Sequence, residues 1–248
     1  MSRLGRVRAE TSAGWRAFVR RRTAVFFTFL FPALIILIFG ALVQTQRTGG
    51  GLFAEPAGYY VPGYLAVVVL LTPLSRVGST VARHRSDRRF EKLATTPLTR
   101  REWLAAQTAV NAAIIGLASV LLLGLLVLVT DAQVRPAPVV ALFVVAGVVL
   151  FCGVGAAIGR LAGSQDGVIA VSNTVGFPLL FLSETFVPPA MLPDWFGPVV
   201  ALSPLTYFAR GVRAATYGDG AVWPNLAVVA GLAAVAFLLG AALLPWTE

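Results

Sequence analysis

Residues 103–129 read WLAAQTAVNAAIIGLASVLLLGLLVLV, a run without one charged side chain. As a helix it exceeds the roughly 20 residues that cross the hydrocarbon core of a bilayer. A lone segment in that core must satisfy its own backbone hydrogen bonds, which a helix does. Comparable apolar runs flank it at 24–43, 59–82, 137–161, 168–187 and 224–244. Pro32, Pro62 and Pro73 fall inside the first two, where neighbouring helices can satisfy the freed carbonyls. Arg76 lies late in the second and should snorkel toward water. The composition agrees: 57% of residues are hydrophobic, 12% are charged and the mean hydropathy is +0.80. Soluble domains carry about a quarter charged residues. The expected fold is an all-α membrane protein with six spans in a single transmembrane domain, residues 24–248.

Two segments do not fit a plain span. Residues 1–23 place Leu4, Val7, Thr11, Trp15, Phe18 and Val19 near one helical face, with Arg3, Arg6, Arg8, Arg16 and Arg20 largely off it. That pattern suits an amphipathic helix lying in the headgroup region. Residues 188–223 are broken by Pro188, Pro189, Pro193, Pro198 and Pro204 into apolar pieces too short to cross. Such pieces suit an outer re-entrant hairpin before the sixth span. Ser203 and Pro204 read as an N-cap and first helical position, followed by Leu205, Phe208 and Val212 at helical spacing.

The net charge is +9, almost all of it arginine, with Lys92 the single lysine. The basic residues fall in the N-terminal segment, the hinge after span two and the turn after span four. The opposite side has Arg47, Arg135, Arg210 and Arg213. The positive-inside rule then puts both termini in the cytoplasm. Basicity here is a topology signal, and nucleic acid is not an expected partner. Arginine in place of lysine, with abundant Ala, Val and Gly, fits a GC-rich bacterium, so the expected location is the bacterial inner (plasma) membrane.

Several chemistries lack their groups. No G-x-x-x-x-G-K-[ST] phosphate loop is present, because Lys92 follows Arg89-Phe90-Glu91. Cys152 is the single cysteine and sits in an apolar run; His84 is the single histidine and reads as a solvated loop residue among arginines. Zinc and histidine-based hydrolysis are therefore not expected. Carboxylates lie in loops or at ends except Glu184, which approaches the interior of span five. Ion-coupled carriers usually place carboxylates near the midplane.

The hinge, residues 85–101, reads RSDRRFEKLATTPLTRR. Arg85, Arg88, Arg89 and Lys92 form one stripe at helical spacing, Phe90, Leu93 and Pro97 another, with Asp87 and Glu91 on a third line. A short helix with an apolar spot flanked by charge suits docking into a groove of another protein.

In its order of elements the chain resembles the permease subunit of type-2 ABC exporters, and is similar to bacterial drug- and antibiotic-resistance permeases. Phe90-Glu91-Lys92-Leu93-Ala94-Thr95-Thr96-Pro97 resembles that family's acidic-x-Leu-x-x-Thr-Pro segment. Ser183-Glu184-Thr185-Phe186-Val187-Pro188, then Leu192-Pro193-Asp194-Trp195, then Ser203-Pro204-Leu205-Thr206-Tyr207 resembles its pattern around the outer hairpin. The chain departs from the family at Arg88-Arg89-Phe90, where Arg-Gly-Thr is common, and at Glu184, where a small residue is common.

The resemblance implies two permease subunits, identical or homologous, around a central pathway. Separate ABC-type ATPase subunits would hold ATP and Mg, so no cofactor is expected on this chain and the chain itself is not expected to be an enzyme. A cytoplasmic coupling helix between spans two and three would meet the ATPase through Arg89, Phe90, Glu91, Lys92, Leu93, Thr95, Thr96 and Pro97, with Phe90 and Leu93 filling its groove. The family's spans two and five line the pathway. On span five Asn173, Phe177, Phe181 and Ser183 recur at helical spacing, with Glu184 beside them. An aromatic wall suits a hydrophobic or amphipathic cargo such as a drug, antibiotic or lipid. The rival readings are an ion-coupled secondary transporter and a non-transporting membrane scaffold. A cysteine introduced at Asp194 or Asp219 should react with a membrane-impermeant maleimide from outside whole cells; labelling only from the cytoplasmic side would overturn this topology.

Overall fold

The computed structural model describes residues 2–38, 57–129, 135, 137–186, 193–218 and 220–246, and every element among them is helical. The helices are α1 (Arg3–Val19), α2 (Arg22–Ile36), α3 (Val61–Ser86), α4 (Arg89–Ala94), α5 (Arg100–Val129), α6 (Val139–Leu161), α7 (Gln165–Phe181), α8 (Gly197–Leu202), α9 (Pro204–Tyr217) and α10 (Val222–Leu243). Short 3-10 turns at Ala57–Tyr60 and Asp194–Phe196 lead into α3 and α8.

Among the described residues, four helices are long and apolar enough to cross a membrane: Gly58–Ser86, Arg100–Val129, Val139–Leu161 and Val222–Leu243. The two other expected spans differ from their sequence outlines. The run 24–43 is helical in α2, which starts at Arg22; its residues from 39 on lie outside the described part, as do 187 of the fifth run and 188–192 and 219 of the expected hairpin. The run 168–187 forms α7, whose 17 residues give about 26 Å of helix. It ends at Phe181 because side chains take over its last carbonyls. The Ser183 and Thr185 hydroxyls both donate to Leu180 O, and Leu182 N–H donates to Pro178 O at 2.7 Å. Conversely, α3 runs a turn beyond residue 82, to Ser86.

α6 is the hub, packed between α3 and α10. Glycines let the backbones meet there. A Cβ on Gly155 would stand 2.7 Å from Leu74 O, and one on Gly78 2.9 Å from Gly155 O. On the next turn Gly159 abuts Gly78 O; on the opposite face Gly153 abuts Ala236 O and Gly240 abuts Gly153 O. Close approach through small residues is the main source of helix association in a bilayer, where lipid is as apolar as leucine. Around this hub a continuous core includes Leu65, Val69, Leu74, Phe143, Phe151 and Phe208.

The two ends of the bundle differ. At one end α9 lays Leu205, Phe208 and Val212 inward, as its spacing predicts, and Phe208 meets Phe143 edge-on at 6.2 Å. Pro204 opens α9 and Ser203 occupies the N-cap position, but the Ser203 hydroxyl makes no cap bond; Thr206 instead donates to Val200 O at 2.6 Å, closing α8. At the other end lie α1, α4 and most of the arginines. Two of these arginines hold helix ends. Arg85 donates to Arg160 O and Ala162 O at 2.6 and 3.0 Å, capping α6, and Arg100 reaches Ala242 O at 3.3 Å, near the end of α10. A cation at a helix C-terminus satisfies free carbonyls and opposes the helix dipole.

α1 does not lie by itself on a surface. Ser2 caps it by accepting from Gly5 N–H at 3.2 Å. Gly14 then lets it approach Val110 of α5, and Phe18 buries itself against Val110 and Ile114. Of the expected apolar face, Val7, Thr11 and Phe18 turn toward the protein while Leu4, Trp15 and Val19 stay exposed. The ion pair of Arg6 with Glu102 sets this rotation: Arg6 Nη2 and Nε donate to the two carboxylate oxygens at 2.6 and 3.1 Å.

Gly153→Val should force α6 from α10 and cost about 1–3 kcal/mol or more. Gly116→Ala and Gly231→Ala, where nothing lies within 4 Å of the added carbon, should leave stability unchanged. Thermal unfolding in detergent separates the three.

Candidate functional site

The hinge folds as a tight reversal. α3 stops at Ser86, Asp87 and Arg88 make the turn, and α4 runs from Arg89 to Ala94. Arg88 has φ 51°, the one positive-φ residue other than glycine among those described. An L-residue pays about 1–2 kcal/mol for that region, and the packing of α4 holds it there.

That packing centres on Phe90. Its ring, 2% exposed, stands 5.4 Å from His84, 5.2 Å from Trp103 and 5.6 Å from Trp246. His84 and Trp103 are themselves 5.6 Å apart. The box thus joins the end of α3, α4, the start of α5 and the chain after α10. Neither His84 Nδ1 nor Trp103 Nε1 has a hydrogen-bond partner among the described residues, so ring contact holds the box. Tilted and edge-to-face pairs at such separations each add about 0.5–1.5 kcal/mol beyond burial.

Three expectations change here. Phe90 fills its own chain's interior and is not free to enter a partner's groove; Leu93 is half-buried on the same side. His84 is half-buried among rings, not solvated. Arg85 leaves the expected stripe because it belongs to α3 and caps α6. What α4 and the following turn present outward is polar: Arg88, Arg89, Glu91, Lys92, Thr95, Thr96 and Pro97 are all exposed. Thr95 and Thr96 donate to Lys92 O and Leu93 O, closing α4.

The turn ends on a feature the sequence carries and the hinge reading passed over. Thr99-Arg100-Arg101-Glu102 is a capping box at the start of α5. Thr99 N–H donates to the Glu102 carboxylate at 2.9 Å, and Glu102 N–H donates to Thr99 Oγ1 at 3.3 Å. The T-x-x-E spacing was the signal. Because Glu102 also accepts from Arg6, α1, the hinge and α5 meet at one carboxylate.

The expected pathway residues divide. On α7, Val168, Ser172, Gly176 and Leu180 face α3, while Asn173, Phe177 and Phe181 form an outward stripe, the two rings 47% and 57% exposed. Ser183 and Glu184 do not continue it. Both follow the end of α7 and are buried, Glu184 at 4%. The Glu184 carboxylate accepts from Arg210 Nε at 2.8 Å and from its Nη2. Arg213 donates to Glu184 O at 2.7 Å and stacks 4.0 Å from the centroid of Tyr59. Glu184 therefore ties the end of α7 to α9 and to the turn before α3. Its partner Arg210 had stood 26 residues away in the sequence, with no local pattern to link them.

A family model described as ABC-2 type transporter matches residues 6–217. The daunorubicin resistance ABC transporter permease protein DrrB1 of Streptomyces coeruleorubidus is 30% identical over 218 residues, spanning 83% of this chain and 74% of that protein.

Phe90→Ala should empty the box and cost about 3–5 kcal/mol, seen as a lower unfolding temperature. At the other end, Arg210→Ala should cost on the order of 3 kcal/mol, the low end for a broken buried pair because Arg210 is half-exposed. Glu184→Gln should cost less, since the amide oxygen still accepts, and the double variant should recover most of the Arg210→Ala loss.

Proposed function

Because the chain belongs to the ABC-2 type transporter family, we propose that it is the membrane-spanning subunit of an ATP-driven exporter in a bacterial plasma membrane. Two such subunits enclose the pathway, and a separate ABC-type ATPase with ATP and Mg docks on the α4 side. In this reading α2 and α7 complete six spans, with both termini cytoplasmic. α8 and α9 form the outer re-entrant hairpin. The family supports the class; the geometry of α4 supports how the force enters.

The observation that carries the reading is that α4 has two unlike faces. Its outer face is a polar ridge of Arg89, Glu91, Lys92 and Thr95, suited to charge-assisted contact with a partner. Its inner face is Phe90, locked against α3, α5 and the segment after α10. Closely packed interiors transmit displacement with little compression. An ATPase that grips the ridge as it closes therefore moves the box, and the box moves three helices together. ATP hydrolysis stays on the partner.

The cargo reading rests on Asn173, Phe177 and Phe181. Exposed rings at one-turn spacing offer flat apolar surface with a single amide for orientation, which suits an aromatic amphiphile. The relative's name makes daunorubicin the first probe to try.

Glu91→Arg should leave insertion and unfolding temperature intact, because the side chain is exposed, yet abolish cargo-stimulated ATPase activity of the reconstituted complex. Wild-type stimulation in that variant would remove α4 from the coupling role. Phe177→Ala with Phe181→Ala should lower daunorubicin export by roughly tenfold while basal ATPase activity persists, an effect of about 1.4 kcal/mol. Export that stopped on collapsing the proton gradient at constant ATP would favour an ion-coupled carrier instead.

A further inference from the structure

Several arginines at the α4 end of the bundle hold other groups of the chain. Arg6 pairs with Glu102, Arg85 and Arg100 hold helix carbonyls, and Arg89 lies 3.6 Å from Asp87. The elbow between α1 and α2 is different. Arg20, Arg21 and Arg22 follow one another there, all exposed, and none meets a carboxylate among the described residues. With Thr23, Ala24 and Phe27 they line an open cleft of about 700 Å³.

The elbow is fixed by its backbone. Arg21 N–H donates to Phe18 O at 2.9 Å, and Arg21 O accepts from Val25 N–H at 3.0 Å. The three guanidinium groups therefore leave one short, hydrogen-bonded bend. The positive field continues inward. Arg76 and Arg83, about two turns apart on α3, lie within electrostatic range of Arg21; neither forms an ion pair among the described residues, and Asp87 is the one carboxylate within range of Arg83. Arg76 rests over the Phe18 ring at 4.9 Å and donates to Asn111 Oδ1 at 3.3 Å. Like charges on neighbouring side chains repel, and an anion placed among them relieves that repulsion.

We propose that this elbow binds the phosphate of an anionic phospholipid in the leaflet on the α1 side. Guanidinium groups take phosphate oxygens in pairs, with short charge-assisted hydrogen bonds. The lipid, and not a free phosphate, is indicated by what adjoins the cleft. Phe27 on its wall is 60% exposed, and Phe26 and Leu30 continue the exposed apolar surface along α2. A head group in the cleft would place its acyl chains along that surface. The site rests on α2 entering the bilayer and is independent of the cargo.

The test uses the full chain, purified in detergent, with native mass spectrometry to count retained lipid after adding phosphatidylglycerol or phosphatidylcholine. Phosphatidylglycerol should be retained preferentially, and Arg20→Gln with Arg21→Gln and Arg22→Gln should weaken its retention by at least about tenfold. Arg3→Gln with Arg8→Gln and Arg16→Gln removes the same charge from the exposed side of α1 and should weaken it by less than about twofold. Circular dichroism and elution volume of both triple variants should match the parent, since all six side chains are exposed. Should the elbow variant misfold, Arg21→Gln alone carries the same comparison. Equal losses in the two triple variants would mean diffuse surface attraction and overturn the site. Unchanged retention in the elbow variant would overturn it too. Displacement of the lipid by millimolar inorganic phosphate would show that the acyl chains contribute nothing and remove the lipid assignment.

Discussion

The bundle depends on backbone contact through α6. Inside a bilayer no hydrophobic force draws one apolar helix to another, because lipid already solvates both. What remains is dispersion, which falls off steeply with distance. Gly155 and Gly159 let α6 touch α3, while Gly153 with Gly240 lets it touch α10. The two contacts lie on opposite sides of one helix, so α6 fixes α3 and α10 relative to each other. α9 then closes one end over Phe143, and α4 closes the other over Trp103.

The polar groups divide between these ends in a way that charge alone did not show. Counting basic residues predicts a cytoplasmic side but treats them as interchangeable. In the structure Arg85 and Arg100 end helices, Arg6 orients α1, and Arg210 neutralises a buried acid. Each replaces water at a group that would otherwise be unsatisfied. The residues that stay exposed and unspent, in α4 and at the α1–α2 elbow, are therefore the informative ones. They are the residues on which the proposed ATPase and lipid contacts rest.

Much of the architecture was legible in the sequence because hydropathy over a span length is a strong signal. α5, α6 and α10 follow their apolar runs closely, and the inward face of α9 follows from Leu205, Phe208 and Val212. What was not legible depended on contacts between distant segments. Phe90 looked like a docking residue because periodicity locates a face without saying what covers it; Trp103 and Trp246 cover it. Ser183 seemed to extend the stripe of Phe177 and Phe181 because helical spacing was carried past the point where hydroxyls end α7. Glu184 turned from a pathway candidate into a buried tie once Arg210 was placed beside it.

The aromatic box also carries an order in time. Phe90, His84 and Trp103 emerge close together during synthesis, but Trp246 follows α10 and is made only after the helices described above. Until then one wall of the box is missing, and Phe90 has a side open to water. The seating of α4 is therefore a report on completion. Without Trp246 the box lacks one ring, and α4 is held by fewer contacts. In the proposed complex, the surface an ATPase meets on α4 is fully backed only once Trp246 is in place.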